Sequence, residues 1–496
     1  MRTILTILVI GVMMIGCGPS TGIKTVQLPV ETDPTISFRV WFKIGSQTDP
    51  EGKEGLAAFT AAMLVQGSTT ENSYEQILEK LYPLAASYWA AVDKEMTIII
   101  GRVHKDNLEP YYALFRDAMI SPAFNQEDFD RIKSNTLNYL ERTLRYSNDE
   151  AFGKEALYCM MFKNTAYGHP DEGFIESVES ITLDDVKEFY KTYYTKDNVV
   201  VGIGGGYEAS LVEQITSDLA TLPAGAPAPA AKPSPEAIDG FHVLLVEKET
   251  RSTAISLGFP IDLLRGSKDF YALWLANSWF GEHRNSSSHL YQVIRETRGM
   301  NYGDYSYIEH FPRGWARQFP PSNVGRRQQI FEIWIRPVKN EEAHFALRAA
   351  IRELQKLVDN GMTQEDFELT KTFLKKYYLH YAPTTTMRLG YKMDDMFYGI
   401  EDHLRTFPNI LESLTLEDVN ATIKKYLQYK NMKIAMITQN AESLKEALVN
   451  NTKSPKTYHV EKPAEILQED EAIENYFLDI KAENVQILKA DEMFLQ

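Results

Sequence analysis

Short apolar segments typical of β-strands alternate with helical stripes along much of the chain. In residues 186–193 the apolar side chains recur at i, i+3, i+4 and i+7, which places them on one helical face. A second stripe runs through residues 347–358 and ends at Asn360-Gly361. The strand candidates are 36–42, 96–100, 199–203, 243–246 and 331–335. This interleaved pattern predicts an α+β fold.

Two blocks of sequence occur twice, in the same order. Residues 180–186 read SITLDDV and 413–419 read SLTLEDV, and QEDF occupies both 126–129 and 364–367. In the longer block, Thr182 and Thr415 each precede an aspartate by three positions, the spacing of a helix N-cap and a first-turn acid. The repeat predicts two homologous halves, which often face each other across a cleft.

A proline- and alanine-rich segment separates the two halves. We assign residues 25–222 to the first half, 223–236 to the linker and 237–450 to the second half. The linker has no large apolar side chain, which is typical of a semi-rigid spacer. Residues 451–496 are acidic in places but contain enough apolar residues to predict a tail that packs on the body.

The chain opens with the pattern of a secretory signal. A positive start precedes the uncharged apolar run 4–15, which is short for a membrane-spanning helix. The run leads through Gly16 to Cys17, and this arrangement resembles a bacterial lipobox, although Met14 and Ile15 depart from its usual residues. We therefore expect a signal peptide over 1–16, lipidation of Cys17 and a tether over 17–24. The alternative is an ordinary signal peptide with a chance cysteine.

This reading places the protein in a bacterial cell envelope, lipid-anchored, with its body in the periplasm. The outer membrane is favoured over the inner, because Gly18 stands where many inner-membrane lipoproteins have aspartate. The other cysteine, Cys159, lies in an apolar run and is expected to be an inert thiol. Two cysteines exclude a disulfide framework.

The charge balance argues against nucleic acid as a partner. The 496 residues contain 52 Lys and Arg against 68 Asp and Glu, a net charge of −16. Phosphate binding requires a basic surface, which this composition does not favour.

Three segments resemble the pitrilysin/insulinase family of inverted zinc peptidases: 54–69, 166–173 and 290–302. They occur in the family's order and spacing, and the family is itself a tandem duplication. The resemblance implies a clamshell of two halves, each a mainly antiparallel sheet packed against helices.

Active members of that family carry H-x-x-E-H on their first helix. Two histidines at i and i+4 share a helical face and bind one Zn²⁺, and the glutamate acts as general base. Here the matching positions are Ala58, Ala61 and Ala62, and alanine has neither a lone pair nor an exchangeable proton. The resemblance thus implies a degenerate member with no metal, no cofactor and no peptidase activity of its own.

Other positions of the family's site are less clear from the sequence. A glutamate ligand is expected on a later helix, where Glu141 and Arg142 are the candidates. The family's polar substrate-facing strand reads WAAV from Trp89. His283 and His289 have poor spacing for a substitute metal site, and His169 is expected to have a structural role.

Unlike the metal ligands, a second feature of the family is retained, and it lies in the second half. Active members hold substrate with an arginine and a tyrosine seven residues apart, and Arg295 and Tyr302 match both the residues and the spacing. A guanidinium presents a rigid fork to a carboxylate or carbonyl, and a phenol can donate to an oxyanion. From the bare residues alone, a surface ion pair and a core tyrosine would be the simpler interpretation.

These features suggest a non-catalytic subunit of a peptide-cleaving heterodimer. In this interpretation, Arg295 and Tyr302 serve the cleft of a paralogue that bears H-x-x-E-H, and zinc is expected in that partner. The alternative is a peptidase-like binding or scaffolding lipoprotein with no remaining proteolytic role.

Overall fold

The computed structural model describes residues 22–226, 228–229, 232–312 and 319–496. The predicted signal sequence and Cys17 lie outside this part of the chain. Within it, no helix is both long enough and apolar enough to cross a membrane.

The first half is a five-stranded sheet covered by helices. Its strands are β1 (Lys24–Pro29), β2 (Thr35–Phe42), β3 (Ser87–Val92), β4 (Thr97–His104) and β5 (Val199–Gly205). Its helices are α1 (Leu56–Val65), α2 (Tyr74–Leu81), α3 (Leu108–Ile120), α4 (Gln126–Asn138), α5 (Asp149–Met161), α6 (Ile175–Ser180), α7 (Leu183–Tyr193) and α8 (Ala209–Leu219). A π-helical segment, Tyr139–Ser147, continues α4.

The second half repeats this plan and adds a strand. Its strands are β6 (Phe241–Glu247), β7 (Ser252–Ile261), β8 (Asp304–Tyr307), β9 (Gln329–Lys339), β10 (Met432–Thr438) and β11 (Val485–Lys489). Its helices are α9 (Lys268–Gly281), α10 (Ala343–Asn360), α11 (Gln364–Tyr377), α12 (Thr385–Tyr398), α13 (His403–Ser413), α14 (Leu416–Tyr426), α15 (Ala441–Val449) and α16 (Ala464–Glu474).

The two sheets have the same strand order, which confirms the duplication. The first runs β1-β5-β2-β4-β3 and the second β6-β10-β7-β9-β8, with β11 added beside β6. In each half the first strand pairs in parallel with the last, and the pairs further along the sheet are antiparallel. The repeated threonines, Thr182 and Thr415, cap α7 and α14 in reciprocal capping boxes. All five strand candidates overlap strands of the structure.

Each half places one helix against the sheet of the other. Helix α5 packs on β7 and β10, and α12 packs on β1, β2 and β5. Glycines permit the second contact: a Cβ at Gly202 would lie 2.7 Å from the sulfur of Met393, and one at Gly204 would lie 3.2 Å from a carbon of Thr385. The halves therefore interlock, and side chains of both reach the same cleft.

The C-terminal segment crosses from one half to the other. Strand β11 extends the second sheet, and Phe494 then packs edge-on against Phe152 in the first core. The backbone N–H of Ile175 donates to the carbonyl of Phe494 at 2.9 Å. This segment thus fastens the two halves together.

Candidate functional site: a cleft without metal ligands

The site that the sequence analysis singled out is a cleft between α1, β3 and α5. It encloses about 570 Å³ and is also lined by residues of the second half. Gly55, the N-cap residue immediately before helix α1, has a φ of 99°, which lies in the left-handed region. The backbone N–H groups of Gly55 and Ala57 each donate to the Asp49 carboxylate at 2.7 Å, which caps the helix start.

The three alanines occupy this helix as the sequence predicted. Ala58 and Ala62 line the cleft, whereas Ala61 is fully buried beneath it. Their methyl groups offer no lone pair to a metal. Across the described residues, no group of three or more His, Cys, Asp or Glu side chains is arranged to hold a metal ion. The residues present do not fit the zinc site of active relatives.

The outer wall of the cleft is an exposed sheet edge. Strand β3 lies at the edge of the first sheet and, among the residues that the structure describes, pairs only with β4. Trp89 lies on this strand, lines the cleft and is 48% exposed. An edge strand presents backbone groups to which an extended peptide can add as a further strand.

The acidic side chain that a later helix brings to the cleft is Glu155, on α5. Glu141 or Arg142 was expected at the position of the family's third metal ligand, but neither residue lines the cleft. In the π-helical segment, Glu141 is half-buried and Arg142 is exposed. That segment and the extended residue Asn148 interrupt the helix before α5 starts. The helical spacing in α4 therefore does not predict which residues of α5 face the cleft. The sequence feature that could have identified Glu155 is the charged pair Lys154-Glu155 within an otherwise apolar stretch.

Carboxylates crowd the cleft, and some are matched by cations. Lys94 Nζ lies 2.9 Å from Asp171, and Lys154 Nζ lies 2.8 Å from the buried Glu332 of β9. Burial and neighbouring carboxylates raise the pKa of Glu155 to about 7 and that of Glu172 to about 8. Lysine and arginine side chains provide the positive charge near Glu155 and Glu172.

A segment of the second half reaches into this cleft. Arg326 donates to the carboxylate of Asp93 from Nε at 2.6 Å and from Nη2 at 3.0 Å. His310 Nε2 lies 3.4 Å from the same carboxylate. Arg327 makes a further ion pair with Glu95. These contacts were not foreseen from the sequence, because they join positions in opposite halves.

Arg295 and Tyr302 lie outside the cleft. Arg295 is in the last turn of the π-helical segment Tyr291–Glu296, pairs with Glu296 at 2.7 Å and has its guanidinium 5.7 Å from the ring centre of Tyr291. Gly299, at a φ of 63°, ends that turn, and its N–H donates to the carbonyl of Arg295 at 2.8 Å. Tyr302 follows and is 76% exposed. The structure does not bring this pair to the three alanines.

The three histidines considered as metal ligands have separate surroundings. His283 Nδ1 lies 2.7 Å from the hydroxyl of Tyr307, while His289 contacts Glu353 at 2.7 Å and stacks on Trp279. His169 is buried with Nδ1 2.8 Å from the carbonyl of Pro170. Burial and the charge of Lys94 lower the pKa of His169 to about 4. No two of the three share a site.

This duplicated fold, with alanines at the positions of the family's metal ligands on α1, defines a non-catalytic peptidase-like protein. Comparison with family models agrees. Residues 25–174 match the insulinase model (peptidase family M16), and residues 180–374 match the peptidase M16 inactive domain. Together these ranges span more than half of the chain. The chain belongs to the insulinase family, which confirms the resemblance found in the sequence.

Relatives of this chain have differing names. It is 23% identical to the uncharacterized zinc protease YmxG of Bacillus subtilis over 81% of this chain and 93% of that protein. It is 21% identical to the non-peptidase homolog YmxG of Helicobacter pylori, over 80% of this chain and 87% of that one. A peptidase M16 inactive domain from Pseudomonas fluorescens has the same fold, with a TM-score of 0.74 and 23% identity over 85% of this chain and 96% of that one.

Proposed function

We propose that this chain is the substrate-binding subunit of a zinc metallopeptidase heterodimer. An H-x-x-E-H-bearing paralogue would supply zinc and the general base, and this chain would supply Arg295 and Tyr302. Helix α1 supports this division, because its alanines leave the chain without the ligands that hydrolysis requires.

The exposure of Tyr302 carries the proposal. A tyrosine ring that is 76% exposed contributes little to the core of its own chain. Aromatic and arginine side chains exposed together are enriched at protein interfaces, where their apolar bodies become buried and their polar ends find partners. The turn at Gly299 fixes the segment between Arg295 and Tyr302, so the pair can meet a partner with little loss of backbone entropy.

The peptide would be recognised mainly through its backbone. Addition of an extended segment to a sheet edge uses main-chain hydrogen bonds, which tolerate many sequences. The phenol of Tyr302 would donate to the oxygen of the scissile carbonyl as it gains charge in the partner's cleft. Arg295 would hold a carbonyl or carboxylate of the same peptide.

The proposal includes the location of the complex. Lipidation of Cys17 would anchor the chain to the bacterial envelope, the outer membrane being favoured, with the body in the periplasm. The apolar run 4–15 and the cysteine after Gly16 support this part. Mass spectrometry of the mature N-terminus tests it, since a diacylated Cys17 and an unmodified residue differ by the mass of the lipid.

A second function, binding or scaffolding without proteolysis, is favoured by one observation. Arg326 and His310 of the second half occupy the cleft of the first half and contact Asp93 there. A cleft filled in this way suits a structural subunit. In that case Arg295 and Tyr302 would be residual.

The two functions differ in how peptide turnover responds to substitution. The chain without its signal is co-expressed with an H-x-x-E-H paralogue, and zinc and peptidase activity are measured for each chain alone and for the pair. We expect one zinc per pair and none in this chain alone.

Tyr302→Phe should lower kcat of the pair by about 10²-fold, as for loss of one oxyanion donor. Arg295→Ala should chiefly raise KM.

Arg405→Ala provides the matched control. This arginine is also exposed, lies on α13 and makes only a loose pair with Glu401 at 3.8 Å. It should leave turnover unchanged. Unaltered turnover in the Arg295 and Tyr302 variants of an assembled pair would reject the role given to them, and failure of any pair to form would favour the scaffolding function.

A further inference from the structure

The C-terminal tail (residues 451–496) contains a helix that the duplication does not explain. Helix α15 follows β10 as α8 follows β5. In the first half the chain then enters the linker, whereas in the second half it continues into α16 and β11. Helix α16 packs on α10, which also contacts the π-helical segment Tyr291–Glu296. The added helix therefore shares a neighbour with the segment that carries Arg295.

A buried arginine joins α16 to the turn formed by residues 295–302. Arg298 is buried and donates from Nε to Asp470 of α16 at 2.7 Å. It also donates from Nη1 to the carbonyl of Val293 at 2.7 Å and from Nη2 to Glu469 at 3.2 Å. One guanidinium thus connects two acids of the tail with the backbone of the π-helical segment.

The two acids that accept from Arg298 are themselves held in place. Asp470 is buried, and its other carboxylate oxygen accepts from the hydroxyl of Tyr458 at 2.6 Å. Glu469 pairs with Lys356 of α10 at 2.7 Å. Hydrogen bonds between charged groups are stronger than neutral ones and impose a defined geometry. The tail therefore restrains the position of Arg298.

A second residue of the tail contacts the same turn. Lys462, two residues before α16, donates from Nζ to the carbonyl of Thr297 at 2.6 Å. The turn is also bonded to the second sheet, because the side-chain amide of Asn301 donates to the carbonyl of Arg336 on β9 at 2.9 Å. The turn is thus held by both the tail and the sheet, whereas Tyr302 at its end stays exposed.

We propose that the C-terminal tail positions the substrate-binding pair, with Arg298 and Asp470 as the positioning residues. Arg295 and Tyr302 then keep a fixed orientation before the peptide arrives, so less conformational entropy is lost on binding. Arg298 and Asp470 act through the turn and do not themselves touch the peptide. Their role rests on the function proposed above, because positioning affects turnover only if the pair binds substrate.

Asp470→Asn tests the positioning in the mature chain alone, by hydrogen–deuterium exchange measured with mass spectrometry. The backbone N–H of Gly299 donates to the carbonyl of Arg295 at 2.8 Å, so its exchange reports on the turn. Loss of one charged acceptor should speed exchange across residues 295–302 at least about tenfold. Residues 82–86, which precede β3 as the turn precedes β8, should exchange as before. Unchanged exchange in the turn, or equal acceleration in both segments, would overturn the proposal.

Two further variants sharpen this measurement. Glu342→Gln is the matched control, because it neutralises an acid that joins Lys456 of the tail to the start of α10 at 2.7 Å rather than to the turn. It should leave exchange across residues 295–302 unchanged. Lys462→Met removes the bond to Thr297 and should speed that exchange about threefold. If Asp470→Asn does not fold, unchanged exchange in Lys462→Met overturns the proposal.

Turnover by the assembled pair separates the positioning role from the function proposed above. Asp470→Asn should lower kcat about tenfold with the zinc content of the pair unchanged. Added to Tyr302→Phe, it should lower kcat little further, because both substitutions remove the same donor from the oxyanion. Full additivity of the two would overturn the positioning role. Faster exchange in the turn together with unaltered turnover by Tyr302→Phe would instead reject the role given to the pair.

Discussion

Arg326 of the second half and Asp93 of the first form a bidentate ion pair. The guanidinium donates from Nε at 2.6 Å and from Nη2 at 3.0 Å to the two carboxylate oxygens. Both side chains are buried, and their positions are 233 residues apart in sequence. Burial alone would raise the pKa of Asp93, but the charge of Arg326 holds it below the ordinary value. The pair therefore joins the two halves inside the cleft that Ala58 and Ala62 line.

Replacing Arg326 by methionine should destabilise the chain strongly. The substitution leaves the Asp93 carboxylate buried without its main partner, a change that typically costs about 3–5 kcal/mol. Urea unfolding measures the loss. Arg405→Met, at an exposed pair on α13, serves as control and should change the free energy of unfolding by under about 0.5 kcal/mol. Equal effects from the two substitutions would show that Arg326 does not hold the halves together.

The acids of the cleft should make stability depend on pH. The pKa of Glu155 is raised to about 7 and that of Glu172 to about 8, whereas an unfolded glutamate ionises near 4.3. Between these values the folded chain binds more protons than the unfolded chain. The free energy of unfolding should therefore fall as pH rises from about 5 to about 8.

The double variant Glu155→Gln, Glu172→Gln isolates this effect. His169 and His310, whose pKa values burial lowers to about 4, contribute equally to both proteins, so they cancel in the difference. The variant should gain stability relative to the unaltered chain as pH rises from 5 to 8, measured by unfolding at several pH values. A constant difference across that range would mean that these acids titrate normally.

Local patterns were sufficient to predict the architecture. The strand segments, the threonine caps at Thr182 and Thr415 and the two QEDF blocks all act over a few residues, and each appears in the structure where the sequence placed it. The alanines of α1 were found in another way, because the family resemblance places its H-x-x-E-H motif at Ala58, Ala61 and Ala62.

Contacts between distant segments could not be predicted in this way. Glu155 was missed because the π-helical segment Tyr139–Ser147 and the extended Asn148 break the helical phase before α5. Arg326 was missed because nothing local indicates which half its side chain will face. Arg298 resembles any charged residue in a turn until the position of Asp470 on α16 is known.

The C-terminal segment should contribute to stability through Phe494. Its ring is buried and packs 5.7 Å from that of Phe152, so Phe494→Ala should cost about 3–5 kcal/mol. The neighbouring Leu495 is 37% exposed, and Leu495→Ala should cost well under that amount. Thermal unfolding of the two variants makes the comparison. Similar melting temperatures for both would show that the tail is only loosely attached.

The position of Glu155 predicts that two substitutions restore a zinc site. Ala58→His with Ala62→His would place two imidazoles one helical turn apart in the cleft that Glu155 lines, which completes a three-ligand set. Ala61 is left unchanged because it is fully buried, so the variant should bind one zinc but lack the general base. Elemental analysis should find about one zinc per chain, lost again when Glu155→Gln is added. A folded double variant without zinc would show that Glu155 does not reach the position of the third ligand.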